Sequence, residues 1–155
     1  VNVTDLVDEI HDMFAAKAKE REIELSAEVD DNFPELSGDP QDMYRALMNL
    51  VSNAIKFTPK GGKVAIQTEV DPKDNTFIMV VRDSGVGMTR DQIEQVTSSN
   101  DTTVSPHGDI GTGQGLTIVN SIVTELGGQL KIISTENRGT KIKMRFPKSV
   151  SIPGL

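Results

Sequence analysis

The chain has 155 residues, 36% hydrophobic and 25% charged, which describes one globular domain with a sizeable core rather than a disordered segment. A net charge of -7 excludes a bulk nucleic-acid surface, which needs many cationic phosphate contacts, and an aromatic content of 4% offers no stacking platform for bases. The absence of cysteine excludes disulfides, thiolate metal sites and cysteine nucleophiles, and no apolar run approaches the roughly 20 residues that span a bilayer.

Residues 3–22 carry Leu6, Ile10, Met13, Phe14 and Ala18 at helical spacing, with Thr4 as the expected N-cap. His11 lies on this helix, where a lone histidine is expected to be structural or solvated. Residues 23–29 alternate Ile23, Leu25, Ala27 and Val29 with polar neighbours, which predicts a strand. Residues 33–38 read as a short connection with room for an edge strand.

A helix is expected from Asp39 to Thr58. Asp39 is an N-cap type, and Pro40 suits a first turn because its missing N–H is not needed there. Met43, Leu47, Leu50, Val51 and Ala54 form its apolar face, while Asn49, Asn53 and Lys56 fall on a separate polar stripe. Two asparagines one turn apart inside a helix are unusual, because the amide competes for backbone groups. Their oxygens can ligate a hard cation such as magnesium, and the Lys56 ammonium can neutralise phosphate.

Pro59 and the pair Gly61 and Gly62 end this helix. Strands are expected over 64–70 and 77–81, joined by a hairpin over 71–75. A glycine turn over 83–87 leads to a short helix over 89–96. From Thr97 to Gly113 the composition turns to Ser, Thr, Asn, Asp and Gly with few apolar anchors, which predicts a mobile lid. A helix then starts near Gly113 or Gln114, with Leu116, Val119, Ile122, Val123 and Leu126 on its core face, and stops at Gly127 and Gly128. Strands over 129–134 and 140–146 close the chain around a turn at Asn137, Arg138 and Gly139. The predicted fold is α+β: a two-layer sandwich whose mixed, mostly antiparallel sheet is covered on one face by helices. The domain is expected to span residues 1–148, with 149–155 as a tail or linker.

Three glycine clusters mark the candidate chemistry. Gly85 and Gly87 follow Asp83 at the end of a buried strand; the glycines let backbone approach a flat ligand, and the carboxylate can accept from an exocyclic amine. Alone, this pattern also fits an ordinary turn. Gly111, Gly113 and Gly115 open a helix, whose free N–H groups and partial positive charge suit phosphate, although helices also start this way without a ligand. It is not a Walker A loop, since no Gly-Lys-Ser/Thr follows, and it lies outside any strand–turn–helix dinucleotide unit. Gly139 and Thr140 begin the last strand, where a hairpin turn suffices.

In combination the clusters are more specific. Asn-x-x-x-Asn-x-x-Lys-Phe, Asp-x-Gly-x-Gly, Gly-x-Gly-x-Gly-Leu and a late Gly-Thr occur in this order. The chain resembles the GHKL ATP-binding superfamily from about residue 3 to residue 147. The runs from Asn49 to Pro59 (NLVSNAIKFTP) and from Gly113 to Val119 (GQGLTIV) are most similar to the catalytic, ATP-binding domain of a sensor histidine kinase. That resemblance implies a Bergerat-type fold, ATP and magnesium as ligands, and specific roles. Asn53 ligates magnesium and Asn49 lines the same site. Lys56 contacts phosphate and Phe57 packs near the nucleoside. Asp83 accepts from the adenine amine, beside Gly85 and Gly87. Gly111, Gly113, Gly115 and Leu116 belong to the phosphate loop, and Thr140 supports the adenine contact.

The resemblance also implies the reaction. Superfamily hydrolases carry a glutamate base where this chain has Asn49, and an amide cannot take a proton from water. The expectation is therefore phosphoryl transfer, with Asn49 and Lys56 as catalytic positions, to a histidine on a separate dimerisation domain of the same parent chain. His11 lacks the acceptor neighbourhood of the family. A response-regulator receiver domain would take the phosphoryl next. The fragment is expected to be monomeric within a homodimeric parent, cytoplasmic, and compatible with membrane anchoring elsewhere; starting at Val1, it reads as an excerpt of a longer chain.

The lid departs from the family pattern. No Phe or Tyr lies between Phe77 and Phe146, and no Lys or Arg between Arg90 and Lys131. This keeps two alternatives open: a degenerate or phosphatase-biased nucleotide-binding regulatory module, and a serine/threonine kinase of the anti-sigma-factor type.

Overall fold

The computed structural model describes residues 2–30, 39–71, 73, 76–87, 103–104, 110–111, 114–135 and 137–146. The expectations for 33–38, for the helix at 89–96, for most of the lid and for the tail at 149–155 lie outside the described residues. In chain order the elements are α1 (Val3–Glu20), β1 (Glu24–Glu28), α2 (Pro40–Phe57), β2 (Lys63–Asp71), β3 (Thr76–Asp83), β4 (Thr103–Val104), β5 (Ile110–Gly111), α3 (Gln114–Glu125), β6 (Gln129–Thr135) and β7 (Gly139–Phe146).

The main sheet has five strands in the order β1-β2-β3-β7-β6. Its β1–β2 pair is parallel, because α2 crosses over between them; the remaining pairs are antiparallel, as hairpins require. The expected mixed, mostly antiparallel sheet with helices on one face is what the chain forms. Helix residues Val7, Ile10, Met43, Leu47, Leu50 and Val123 share one core with Val64, Ile66, Met79, Met144 and Phe146 of the sheet. Within the span read as a mobile lid, β4 and β5 form a short antiparallel pair, with Thr103 opposite Gly111.

The helix ends follow local chemistry. Asn2, not Thr4, caps α1, its side-chain oxygen accepting from the Asp5 N–H at 3.1 Å. The helix stops at Glu20 rather than at 22 because Glu22 takes a left-handed conformation, φ 55°. The Ile23 N–H then reaches the Ala18 carbonyl and the Glu22 N–H the Lys19 carbonyl, which satisfies the last turn. Gly127, φ 77°, closes α3 in the same way, with Gly128 N–H on the Val123 carbonyl. Asp39 caps α2 as predicted, accepting from Gln41 N–H at 2.8 Å. His11 is structural, as expected: its Nε2 lies 3.1 Å from the Leu25 carbonyl oxygen. Met13 does not join the core; it is 45% exposed and meets the Tyr44 hydroxyl at the edge of the stripe.

The opposite face of the sheet is protected differently. Ile78 and Val80 are buried there, outside the helix-covered core. Side chains from β2 and β7 meet across β3 above them: Arg145 with Asp71 at 2.7 Å, and Lys141 and Lys143 with Glu69 at 3.8 and 4.0 Å. Such pairs contribute little by Coulomb attraction near water, but their aliphatic stems cover apolar surface.

Leu47 is fully buried on α2, the helix that links the two layers. Leu47→Ala is expected to lower unfolding free energy by about 3 kcal/mol in urea denaturation; a loss below about 1 kcal/mol contradicts this packing.

Candidate functional site

The end of β3 is the most heavily cross-linked point near the predicted site. Asp83 is half-buried, and its Oδ1 accepts two backbone hydrogen bonds, from Gly85 N–H at 2.9 Å and Thr140 N–H at 3.3 Å. Among the described residues no donor reaches Oδ2. One carboxylate oxygen is thus committed to the backbone and the other keeps its accepting capacity. Burial pushes the Asp83 carboxyl above its ordinary value of 3.8; the two backbone donors oppose that shift without cancelling it.

Glycine is required on both sides of this carboxylate. A Cβ on Gly85 would lie 2.6 Å from the Phe57 carbonyl oxygen and 2.9 Å from Asp83 Oδ1. Gly139 has φ 122°, and a Cβ there would collide with the Asp83 carbonyl oxygen. These contacts bring the end of β3, the start of β7 and the C-terminal turn of α2 together. Ser84 fastens the turn to β2, its N–H donating to the Lys63 carbonyl and its hydroxyl accepting from the Lys63 N–H at 2.8 Å. The Val86 carbonyl accepts from Asn137 N–H.

The polar stripe of α2 runs toward this corner. Asn49 and Asn53 are half-buried, and among the described residues neither amide makes a hydrogen bond. A half-buried polar group of this kind is costly unless water or a ligand meets it. Lys56 is exposed, forms no ion pair among the described residues, and sits 5.4 Å from the Phe57 ring centroid. Phe57 is half-buried, and its carbonyl is the one that excludes a side chain at Gly85.

The structure therefore assembles Asp83, Gly85, Thr140 and Phe57 into one corner, with Lys56 beside Phe57 and the two asparagines on earlier turns of the same helix. Gly87 closes the turn with φ 72°. Gly111 lies in β5, and Gly115 and Leu116 in the first turn of α3, which packs against α2; Gly113 lies outside the described residues. Two contributors at the corner escaped the sequence reading. Ser84 carries no recognisable motif. Ser134 lies 2.9 Å from the Thr140 hydroxyl, a contact that depends on the β6–β7 register.

The donor set fits a magnesium nucleotide better than a resident metal. Among the described residues no cluster of three or more His, Cys, Asp or Glu side chains could hold an ion. Magnesium commonly keeps several waters and takes one or two protein oxygens plus phosphates. An asparagine amide and a lysine ammonium on one helix, neither with a hydrogen-bond or ion-pair partner among the described residues, suit that division.

Known proteins resemble this chain in sequence and in fold. Residues 38–150 match the family of histidine kinase-, DNA gyrase B- and HSP90-like ATPases, and the chain belongs to that family. Within it, the similarity is to the ATP-binding catalytic domains of sensor histidine kinases. The sensor histidine kinase ZraS of Salmonella typhimurium is 29% identical over 147 residues, which cover 95% of this chain and 30% of ZraS. The signal transduction histidine-protein kinase BarA of Escherichia coli is 34% identical over 142 residues, 86% of this chain and 15% of BarA. The chain spans less than a third of these curated relatives. The nucleotide-free catalytic domain of histidine kinase ThkA superposes with a TM-score of 0.79 at 28% identity, covering 96% of this chain and 94% of that one. Among the described residues no helix is long and apolar enough to cross a membrane.

The raised carboxyl of Asp83 has a measurable consequence. Between 3.8 and the raised value the folded protein holds a proton that the unfolded chain has released. The stability contributed by this group is therefore present below 3.8 and is lost as pH rises through the raised value. Asp83→Asn keeps an acceptor for Gly85 and Thr140 and escapes that loss. Urea unfolding from about pH 3 to about pH 8 is expected to show the variant gaining on wild type as pH rises, then levelling; a gap that closes with rising pH contradicts the assignment.

Proposed function

We propose that this domain binds Mg-ATP and transfers the γ-phosphoryl to a histidine on a dimerisation domain of its parent protein. The observation that carries this reading is the Asp83 corner. A half-buried carboxylate with one oxygen committed and one unmet among the described residues stands beside the Asn-bearing helix of a chain in this ATPase family.

In this reading the adenine amine donates to the unmet oxygen of Asp83, with Thr140 supporting the contact and Gly85 and Gly87 letting the base lie against backbone. Phe57 packs near the nucleoside. Asn53 is the protein ligand for magnesium, Asn49 lines the same site, and Lys56 neutralises phosphate charge. Gly111, Gly113, Gly115 and Leu116 form the phosphate loop, where a lid over about 97–113 runs into the start of α3. Magnesium supplies charge neutralisation at the phosphates. Asn49 cannot act as a general base, so water is not activated from this position and an incoming imidazole supplies the nucleophile.

The parent is read as a homodimeric, cytoplasmic-facing sensor kinase whose phosphohistidine is passed to a response-regulator receiver domain. The domain itself is read as residues 1–148, with 149–155 leading onward. A second reading, a slow or phosphatase-biased regulatory module, is favoured by the absence of Lys and Arg between Arg90 and Lys131, where a lid cation would face the γ-phosphate.

Saturating Mg-ATP is expected to raise the melting temperature, since ligand at about 100 times Kd stabilises by about 2.7 kcal/mol. Asn53→Ala is expected to lose most of that shift while melting normally without nucleotide. Mixed with the parent's dimerisation segment and γ-labelled ATP, wild type is expected to yield acid-labile phosphohistidine. Nucleotide binding without transfer selects the regulatory module, and no nucleotide effect on wild type removes both readings.

A further inference from the structure

We infer that Ser134 is a positioning residue: it fixes the hydrogen-bonding sense of the Thr140 hydroxyl and thereby sharpens selection of 6-amino over 6-keto purine nucleotides. This rests on the proposed placement of the base at Asp83.

Ser134 and Thr140 stand opposite each other in the β6–β7 ladder. The Ser134 hydroxyl donates to the Gly139 carbonyl at 3.1 Å and lies 2.9 Å from Thr140 Oγ1. A serine hydroxyl has one proton. With that proton on the Gly139 carbonyl, the hydrogen in the shorter contact belongs to Thr140, and Ser134 accepts it. Thr140 then has only lone pairs left to offer. It is 9% exposed, so bulk water has little access with which to turn the hydroxyl round. Its backbone N–H is committed as well, to Asp83 Oδ1.

Both side chains at the corner consequently present acceptors: the unmet oxygen of Asp83 and the hydroxyl oxygen of Thr140. A 6-amino purine brings N–H donors directly to that edge. A 6-keto purine carries its N–H at N1 and only lone pairs at the 6-position, where it meets acceptor with acceptor. Without Ser134 the Thr140 hydroxyl can rotate and donate to a 6-keto oxygen, which relaxes the discrimination. A purely structural role for Ser134 would weaken both nucleotides together.

The test is calorimetric titration of Mg-ATP and Mg-ITP into wild type, Ser134→Ala and Ser134→Thr. Wild type is expected to prefer ATP. Ser134→Ala is expected to lose about fivefold of that preference, mainly through tighter ITP binding, as one misdirected hydrogen bond implies. Ser134→Thr keeps the hydroxyl and is expected to keep the wild-type ratio. An unchanged ratio in Ser134→Ala, an equal loss for both nucleotides, or a relaxed ratio in Ser134→Thr overturns the inference. If Ser134→Ala does not fold, Ser134→Cys, with its weak donor, is judged by the same criterion. Wild type that binds neither nucleotide overturns the placement at Asp83 itself; wild type that prefers ATP, with a ratio indifferent to residue 134, overturns the role of Ser134 alone.

Discussion

The pair of backbone hydrogen bonds converging on one oxygen of Asp83 is the constraint from which the candidate site follows. It ties the end of β3 to the start of β7 and to the Gly85 turn. Because Gly85 also lies against the Phe57 carbonyl, the same junction sets the end of α2 relative to the sheet. A carboxylate held this way cannot swing toward water to recover solvation. Its burial raises its proton affinity, and that cost is tolerable only if something at the second oxygen makes the position useful. An amine donor from a ligand answers that requirement with one contact.

The helix beside it shows the same economy. Its buried side, from Met43 to Ile55, belongs wholly to the core, so the orientation of α2 about its axis is fixed by packing. Asn49 and Asn53 are thereby held half-buried, their amides unmet among the described residues, and Lys56 is left exposed near the Asp83 corner. Stability and site geometry come from opposite sides of one helix. Substitutions on the core side should disturb both, whereas changes along the polar stripe leave the core packing intact and, on the proposed reading, would remove binding alone.

Much of this was legible in the sequence. The strong apolar period, the Asp39 cap and Pro40 identify α2 without any neighbour. Alternation identifies the strands, and the combined order of glycine clusters identifies the family. What escaped depends on tertiary placement. The end of α1 turns on a left-handed Glu22, a conformation that residue identity does not advertise. Met13 sits at the edge of its stripe, where period alone cannot separate core from rim. The pairing of Ser134 with Thr140 needs the hairpin register, and the ion pairs over Ile78 and Val80 need the strand order.

The central claim is that the Asp83 corner and the asparagine stripe form two ends of one nucleotide site. The most direct test is a backbone and side-chain amide NMR titration with Mg-ADP, repeated with Mn-ADP. The account predicts that the Gly85 and Thr140 N–H resonances, both bonded to Asp83, shift together on binding, and that manganese selectively broadens the Asn53 side-chain amide. Shifts confined to surfaces away from both, such as the groove between the N-terminal turns of α1 and α2, would contradict it.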